Sequence, residues 1–387
     1  HANEKINERI KAQLDRLEHV IFANFSHRPA IELAERLALL VPDGLTKFHF
    51  NDNGSSAVEA ALKMAFQYCQ QTGRTKKTRF LCLSEGYHGE TIGALSVGSM
   101  DLFAEMYKPM MMDNIHIEAP DCYRCPFAKT RETCACECFC HAEEAFSAHA
   151  QECAAMIVEP LLQGSAGMRI YPELYLQKLR ALCDAHDVLL IADEIATGFG
   201  RTGRLFATER AHITPDIMCL SKGLTGGYMP MSITVVKEKI YDAFYADWSE
   251  GKAFMHSHTY AGNPLGCAAA LAVLDILDEE NILERAEETS LWLGARMDEV
   301  FGTHKNVGEI RRIGLIHAAE LVEDKATKRP FDARRRLGYA IYREALRCGL
   351  LLRPLGDVLY FNPPLNIEKE ELETAICRMK QAMDKVL

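Results

Sequence analysis

The feature that most constrains the fold is a series of short, wholly apolar runs separated by longer helical patterns. The runs predict buried β-strands at Thr78–Ser84, Ala154–Pro160, Val188–Glu194 and Asp216–Lys222. Helical patterns lie before and between them, at Ser55–Gln70 and Pro172–His186. Strands that are apolar on both faces and alternate with helices are typical of a parallel sheet covered on both sides. The sequence therefore predicts an α/β fold with a mostly parallel sheet.

Polar or conformationally special residues follow each predicted strand. In chain order they are Ser84-Glu85-Gly86-Tyr87, Glu159-Pro160, Asp193-Glu194 and Ser221-Lys222. In open α/β sheets, ligands bind outside the carboxyl ends of the strands. We therefore expect a functional site at this edge of the sheet.

The pattern changes near residue 264. A long helical stretch at Leu265–Glu279 leads to two segments, "EIRRIGLIHAAEL" and "LLLRPLGDVLYFNPPL", which predict strands of a smaller α+β domain. We predict a large domain over residues 44–280 and a small domain made of residues 1–43 and 281–387. The chain lacks an initiator methionine and begins at the edge of a helix, so we expect that a preceding N-terminal segment is missing or disordered.

Composition and charge exclude several classes of function. The 387 residues carry a formal net charge of −10 and contain no basic run, which argues against a nucleic-acid partner. No apolar stretch approaches the length of a membrane span, and the charged, amphipathic start is unlike a signal peptide. Of the 14 cysteines, eight are scattered singly, several of them in apolar runs. That usage fits a reducing compartment, so we expect a cytoplasmic protein.

Two charged residues at predicted strand ends suggest chemistry. Lys222 is followed by three glycines within five residues. Partial burial would lower its pKa and allow a Schiff base with an aldehyde cofactor, although a lone lysine can also extend to solvent. Asp193 is expected to be buried, where a carboxylate needs a cationic partner. A protonated pyridine nitrogen would be such a partner, and a salt bridge or a helix cap is the alternative.

Two further features complete a pattern. Gly54 and Ser55 open a strong helix, whose free N–H groups and dipole can bind a phosphate, although serine can equally be an ordinary cap. Tyr87 follows another strand and could stack on a flat ring or belong to the core. A lysine, an aspartate, a phosphate cradle and a stacking aromatic at one sheet edge are together the requirements of pyridoxal phosphate.

The sequence resembles the class III, fold type I, pyridoxal-phosphate aminotransferases. The motifs that carry the resemblance are "NDNGSSAVEAALKMA", "EGYHGETIGALS", "IVEPLLQGSAGM", "LIADEIATGFGRTGRLFA" and "CLSKGLTGGYMPMS". Within the class it is similar to the branch that aminates 8-amino-7-oxononanoate with S-adenosylmethionine in biotin synthesis. That finer likeness is carried by "DEIATGFGRTG", "LTGGYMPMS", "FMHSHTYAGNPLGCAAALA" and "LLRPLGDVLYFNPPL".

The resemblance implies roles for residues around the cofactor ring. Lys222 would hold the cofactor through a Schiff base and then act as the general base. Asp193 would pair with the ring nitrogen and keep the ring an electron sink. Ile195 and Tyr87 would pack on opposite faces of the ring. Lys222, Asp193 and Tyr87 form the implied catalytic set.

The resemblance also implies how phosphate and substrate are held. Gly54 and Ser55 would bind the phosphate, together with His258 and Thr259 of the neighbouring subunit, which requires a homodimer with shared sites. Arg353 would bind the carboxylate of 8-amino-7-oxononanoate, since a planar guanidinium can donate two parallel bonds to it. The implied substrate-binding set is Tyr87, Lys222, Ser257 and Arg353.

Two alternatives to this activity stay open. One is another class III aminotransferase, acting on an ω-amino acid such as 4-aminobutyrate or ornithine, or using lysine as the donor in the same biotin step. The other is a protein that binds pyridoxal phosphate without turnover. The presence of Lys222, Asp193 and Tyr87 argues against the second alternative.

Six cysteines crowd into the segment Cys122–Cys140 and do not belong to this chemistry. They stand in the pattern C-x-x-C followed by C-x-C-x-C-x-C. The first half has a normal spacing for zinc or iron–sulfur ligands, and the second half is less typical. Free thiols on a surface excursion or adventitious disulfides are the other interpretations. Any metal here would be structural, because the segment lies away from the strand ends that carry the predicted site.

Overall fold

The computed structural model of the chain describes residues 1–131 and 133–387. The strands of the described residues are β1 (Leu45–Asn51), β2 (Arg79–Leu83), β3 (Ile115–Ile117), β4 (Cys153–Val158), β5 (Leu162–Gln163), β6 (Arg169–Ile170), β7 (Leu189–Asp193), β8 (Ile217–Leu220), β9 (Ser232–Lys237), β10 (Val307–Ile313), β11 (Ile316–Leu321) and β12 (Val358–Phe361). Seven of them form one sheet in the order β1-β9-β8-β7-β4-β2-β3. Strand β9 runs antiparallel to both of its neighbours, and the other adjacent pairs are parallel. The predicted mostly parallel sheet is confirmed.

Helices cover both faces of this sheet. The α-helices are α1 (Glu4–Leu14), α2 (Arg28–Ala38), α3 (Gly54–Gln71), α4 (Ile92–Val97), α5 (Asp101–Ala104), α6 (Cys140–His149), α7 (Glu173–Ala185), α8 (Ala207–Arg210), α9 (Glu238–Phe244), α10 (Pro264–Glu279), α11 (Ile282–Phe301), α12 (Leu337–Arg347) and α13 (Lys369–Val386). Successive strand residues point to opposite faces. Ile157 and Ile191 accordingly pack with α3, whereas Met156 and Leu190 pack with α6 and α7. The sheet is therefore buried on both sides, as its apolar strands predict.

A second sheet lies in the C-terminal part of the chain. Strands β10, β11 and β12 pair antiparallel, and α11, α12 and α13 pack with them around one core. Leu359 from β12 and Ile376 from α13 are fully buried in this core. The predicted smaller α+β unit is therefore present.

The first two helices, α1 and α2, pack outside the core of the C-terminal sheet. Ile6 of α1 packs with Ala269 of α10, and Leu33 of α2 packs with Leu271 of α10. Both helices thus contact the element that precedes the C-terminal unit. The domain boundaries after residues 43 and 280 stay a prediction. In the part of the chain that the structure describes, no helix is both long and apolar enough to cross a membrane.

Candidate active site

A large cleft opens at the carboxyl ends of the parallel strands. Its volume is about 1050 Å³, at the upper limit of the size range of cofactor and substrate sites. The predicted site residues that line it are Gly54, Ser55, Tyr87, Asp193, Ile195, Lys222 and Arg353. The carboxyl ends of parallel strands meet at one edge of the sheet, which explains why residues so far apart in sequence share one cleft.

The start of helix α3 forms one wall. Asn53 caps the helix, since its side-chain oxygen accepts the N–H of Ser56 at 3.1 Å. Gly54 is the first helical residue, and a Cβ there would lie 3.1 Å from Cγ2 of Ile195. Glycine therefore lets Ile195 pack tightly beside the first turn. Backbone N–H groups of a first turn, with the positive end of the helix dipole, bind anions such as phosphate.

Lys222 follows strand β8 at the base of the cleft. Ser221, just before it, is buried, and its hydroxyl donates to the carbonyl of Met231 at 2.7 Å. Lys222 has a φ of +42°, in the left-handed region that non-glycine residues seldom occupy. Its side chain is exposed, which corrects the expectation of partial burial. The physical reason is the turn, because the chain leaves the buried strand here and begins a 3₁₀ helix over Lys222–Thr225.

Asp193 ends strand β7 and is buried, as predicted, with 4% of its surface exposed. One carboxylate oxygen accepts the N–H of Ile195 at 3.1 Å, and the other lies 2.7 Å from Nδ1 of His88. Burial lowers the pKa of His88, but the hydrogen bond to Asp193 and the charges of Asp193 and Glu159 raise it, and the net pKa is raised. The raised pKa favours the protonated imidazole of His88, which lies beside the buried Asp193 carboxylate.

Glu159 is a second buried carboxyl group on the wall of the cleft. It accepts the backbone N–H of Tyr87 at 3.1 Å and that of Gly164 at 3.0 Å. The pKa of Glu159 is raised to about 7, because the effect of burial and of the nearby Asp193 charge outweighs the lowering by His88 and by the two backbone hydrogen bonds. The group therefore fixes the backbone of Tyr87 and titrates near neutral pH.

Sequence reasoning did not assign a role to His88 or Glu159, although both stand in quoted motifs. Their contacts join segments that are 105 and 72 residues apart. Their places in the sequence could have drawn attention to them, because His88 follows Tyr87 directly and Glu159 comes just after the buried strand β4. Only the folded chain shows that both side chains point toward Asp193 and Tyr87.

Tyr87 lines the cleft and is not an ordinary core residue. Its hydroxyl donates to Glu90 at 3.0 Å, and its ring lies 5.5 Å from that of Phe103. Burial and the bond to Glu90 raise the pKa of Tyr87 to about 12, while the positive charge of Arg353 lowers it. Arg353 is exposed and lines both this cleft and an adjoining cavity. A guanidinium thus stands near Tyr87, in reach of a substrate in the cleft.

Three predicted residues are not brought to the cleft within one chain. Ser257, His258 and Thr259 are exposed. Nδ1 of His258 lies 2.7 Å from a carboxylate oxygen of Asp52. This arrangement leaves their predicted role at a neighbouring subunit's cofactor as a prediction.

The cysteine-rich segment lies apart from the cleft. All six cysteines of Cys122–Cys140 are free thiols. Five of them line a separate cavity of about 310 Å³, namely Cys122, Cys125, Cys134, Cys136 and Cys138. Within residues 1–131 and 133–387, no group of three or more histidine, cysteine, aspartate or glutamate side chains is arranged to hold a metal ion.

Comparison with known proteins places the chain in a family. Residues 1–383 match the family Aminotransferase class-III. An adenosylmethionine-8-amino-7-oxononanoate aminotransferase of Geobacter sulfurreducens is 45% identical over 387 residues, which cover 100% of this chain and 85% of that protein. The protein of the same name from Methanocaldococcus jannaschii is 38% identical over 383 residues, which cover 96% of this chain and 83% of that protein.

Solved structures of aminotransferases also align with this chain over its full length. The crystal structure of the Methanocaldococcus jannaschii protein aligns with a TM-score of 0.93 and 36% identity, covering 100% of this chain and 86% of that one. An amine transaminase from an uncultivated Pseudomonas species was solved in its PLP-bound internal aldimine form. It aligns with a TM-score of 0.94 and 36% identity, and the alignment covers 100% of this chain and 88% of that one. With a family match over nearly its whole length and this geometry at the strand ends, the chain belongs to the class-III aminotransferases.

Proposed function

We propose that this protein uses pyridoxal 5'-phosphate to transfer an amino group from S-adenosylmethionine to 8-amino-7-oxononanoate, giving 7,8-diaminononanoate in biotin biosynthesis. The observation that carries the proposal is one cleft that holds an exposed lysine, a buried aspartate and a helix N-terminus. The names of relatives 38–45% identical to this chain support the choice of substrates.

The residues present fit this cofactor. Asp193 is a buried carboxylate on the wall of the cleft, which suits a protonated ring nitrogen. The amine of Lys222 is exposed to the cleft and would hold the aldehyde group. Gly54 and Ser55 would bind the phosphate through the first turn of α3. Tyr87 and Ile195 would hold the ring, since both line the same cleft.

When bound, pyridoxal phosphate supplies an electron sink that makes a C–H bond next to the substrate nitrogen acidic. The chain's own residues would then remove this proton and return one to the product. Nζ of Lys222 would take it from the donor in the first half-reaction and return a proton to the acceptor in the second. His88 would orient the Asp193 carboxylate by donating Nδ1–H to it.

Substrate recognition would depend on Arg353. Its exposed guanidinium lines the cleft and acts electrostatically on Tyr87, so a carboxylate bound to it would lie near the cofactor face. The implied substrate-binding set of Tyr87, Lys222, Ser257 and Arg353 is proposed on this basis. Ser257 would serve the neighbouring subunit's cleft, because it is exposed outside the cleft of its own chain.

We further propose a cytoplasmic homodimer. His258 and Thr259 are exposed on a segment that also exposes Met255 by 73% and Tyr260 by 64%. Large apolar side chains exposed together mark an interaction surface. A second copy of the chain would cover them and receive His258 and Thr259 at its phosphate.

A second activity has a specific observation in its favour. The amine transaminase from Pseudomonas and a thermostable omega transaminase from Pseudomonas jessenii both align over 100% of this chain with a TM-score of 0.94. An aminotransferase acting on an ω-amino acid is therefore the alternative. The relatives named for the biotin step are more similar in sequence, at up to 45% identity against 32–36% for these two transaminases.

A donor and acceptor screen tests the proposal. The protein is incubated with pyridoxal phosphate, 8-amino-7-oxononanoate and one donor at a time, and the diamine is measured by mass spectrometry. We expect product with S-adenosylmethionine and none with Lys222→Ala. Product with lysine alone, or faster conversion of 4-aminobutyrate or ornithine with a keto-acid acceptor, would favour the alternative activity.

A further inference from the structure

A second cavity of about 1010 Å³ adjoins the active-site cleft and has no role in the proposed reaction. It lies against the three-stranded sheet, and Arg353 lines both spaces. Its lining includes the buried apolar side chains of Leu321, Leu352 and Val358. Cavities of this size with an apolar lining are typical of small-molecule sites.

Cationic groups dominate the polar lining of this cavity. Arg124, Arg169, Arg336 and Arg353 all contribute to it. Arg124 is neutralised by an ion pair with Glu320. For the other three arginines, the described part of the chain provides no carboxylate within ion-pair distance; Arg336 instead lies 4.5 Å from the ring of Tyr339.

The carboxylates that line the cavity do not balance these charges. Asp121 accepts the backbone N–H groups of Tyr123 and Arg124 at 3.1 and 2.9 Å. Asp357 accepts the N–H of Gly338 at 2.9 Å, and Glu320 pairs with Arg124 and Arg311. Backbone hydrogen bonds leave these acids charged, but the lining holds four arginines against three carboxylates, so its net charge is positive.

We propose that this cavity binds a medium-length aliphatic carboxylate, with the carboxylate on Arg336 and Arg169 and the chain on the apolar lining. A guanidinium donates two parallel hydrogen bonds to a carboxylate, which favours this head group. The buried surfaces of Leu352 and Val358 favour an apolar chain behind it. Among the described residues no lysine lines the cavity, so the ligand would bind here without forming a Schiff base.

A functional consequence follows from the shared arginine. A carboxylate that also reaches Arg353 from this cavity withdraws that guanidinium from the active-site cleft. Aliphatic acids should then compete with the amino acceptor. This competition rests on the proposed function, whereas the binding itself does not.

Isothermal titration calorimetry with nonanoate as the probe tests the binding on the full chain. We expect Arg336→Gln and Arg169→Gln each to weaken binding by about ten-fold, because each removes a charge-assisted hydrogen-bonding group. The matched control is Arg334→Gln, since Arg334 is exposed, pairs with Asp332 and does not line the cavity. The control should bind as the unaltered protein does.

Three outcomes would overturn the proposal. The first is no binding of nonanoate at millimolar concentration. The second is binding that survives Arg336→Gln and Arg169→Gln but is lost in Arg353→Gln, which would place the carboxylate in the active-site cleft. The third is equal affinity for nonan-1-ol, which would show that the carboxylate is not recognised. Circular dichroism of each variant confirms folding, and none of these readouts depends on aminotransferase activity.

Discussion

At the scale of single residues, Lys222 has an uncommon left-handed backbone conformation and an exposed side chain. Its φ of +42° costs a non-glycine residue on the order of 1 kcal/mol or more, and such strain persists where the surrounding structure enforces it. Here the buried strand β8 on one side and the 3₁₀ helix on the other enforce it. Lys222 lines the cleft in this backbone conformation, which is where its proposed role as the cofactor anchor requires it.

Borohydride reduction of the protein loaded with pyridoxal phosphate should attach the cofactor to Lys222 and to no other lysine. Peptide mapping by mass spectrometry identifies the modified residue. Lys222→Ala should keep the circular dichroism spectrum of the unaltered protein but remain unlabelled. Label on another lysine would refute the assignment of Lys222 as the anchor.

The pKa of Glu159 leads to a prediction about stability and pH. Burial raises its pKa to about 7 in the folded chain, above the ordinary value of 4.5. A raised folded-state pKa stabilises the protein below the unfolded pKa, and this stabilisation is lost as pH rises through the folded value. Glu159→Gln removes the titration. The stability of the unaltered protein relative to this variant should therefore fall by about 2 kcal/mol between pH 5 and pH 7.5.

Urea unfolding of both proteins at the two pH values measures this difference. Glu144→Gln is a matched control, since Glu144 is exposed on helix α6. The control should follow the pH dependence of the unaltered protein. If Glu159→Gln does the same, the carboxyl group does not titrate in this range and its raised pKa is wrong.

How much of the site could be predicted from the sequence depends on the kind of residue. Lys222 and Asp193 were predictable because each ends an apolar run, and position at a strand end is visible in the chain. The exposure of Lys222 was not predictable, because it depends on the turn that follows β8. His88 and Glu159 owe their roles to contacts between distant segments, which no local pattern encodes.

At the scale of elements, the central strands were predicted within a few residues because they are apolar on both faces. Strands β1 and β9 were not identified. Strand β1 carries Thr46, Lys47 and His49 among its apolar residues, so it resembles a surface segment. Strand β9, with the sequence SITVVK, is as buried as the strands that were predicted, so its existence was within reach of the same reasoning. Its antiparallel orientation was not, because no short pattern indicates strand direction.

The approach of the turn after Tyr87 to helix α3 requires glycine at Gly89. Its φ is +125°, and a Cβ there would lie 2.1 Å from Oγ of Ser55. Gly89→Ala should therefore combine backbone strain of about 1 kcal/mol with a clash costing roughly 1–3 kcal/mol. It should also weaken cofactor binding, because Ser55 stands in the first turn of α3.

Gly44→Ala separates the two causes. Gly44 has a φ of +90°, but no atom of the described residues lies within 4 Å of an added Cβ, so only the backbone strain applies. Urea midpoints measure stability, and titration with pyridoxal phosphate measures binding. If Gly89→Ala and Gly44→Ala lose equal stability and bind the cofactor equally well, the predicted clash of an alanine at position 89 with Ser55 is disproved.

At the scale of the whole molecule, most of the predicted site residues line the cleft of a single chain, but three of them are exposed on the surface away from it. Seven predicted residues line the cleft, whereas Ser257, His258 and Thr259 are exposed beside Met255 and Tyr260. A symmetric dimer would explain both facts, because in a two-fold interface each copy gives the other the same surface. The exposed residues would then complete the partner's site.

Mixing two inactive variants tests this sharing. If Lys222 of one copy works with Thr259 of the other, a heterodimer of Lys222→Ala and Thr259→Ala contains one site that lacks both groups and one that is complete. Its activity should be about half that of the unaltered dimer, since one of two equivalent sites works. The control places both substitutions in one copy paired with an unaltered copy, so that each site lacks one group and activity stays low. If each site belongs to a single chain, the pattern reverses, because the first heterodimer has two damaged sites and the control has one intact site.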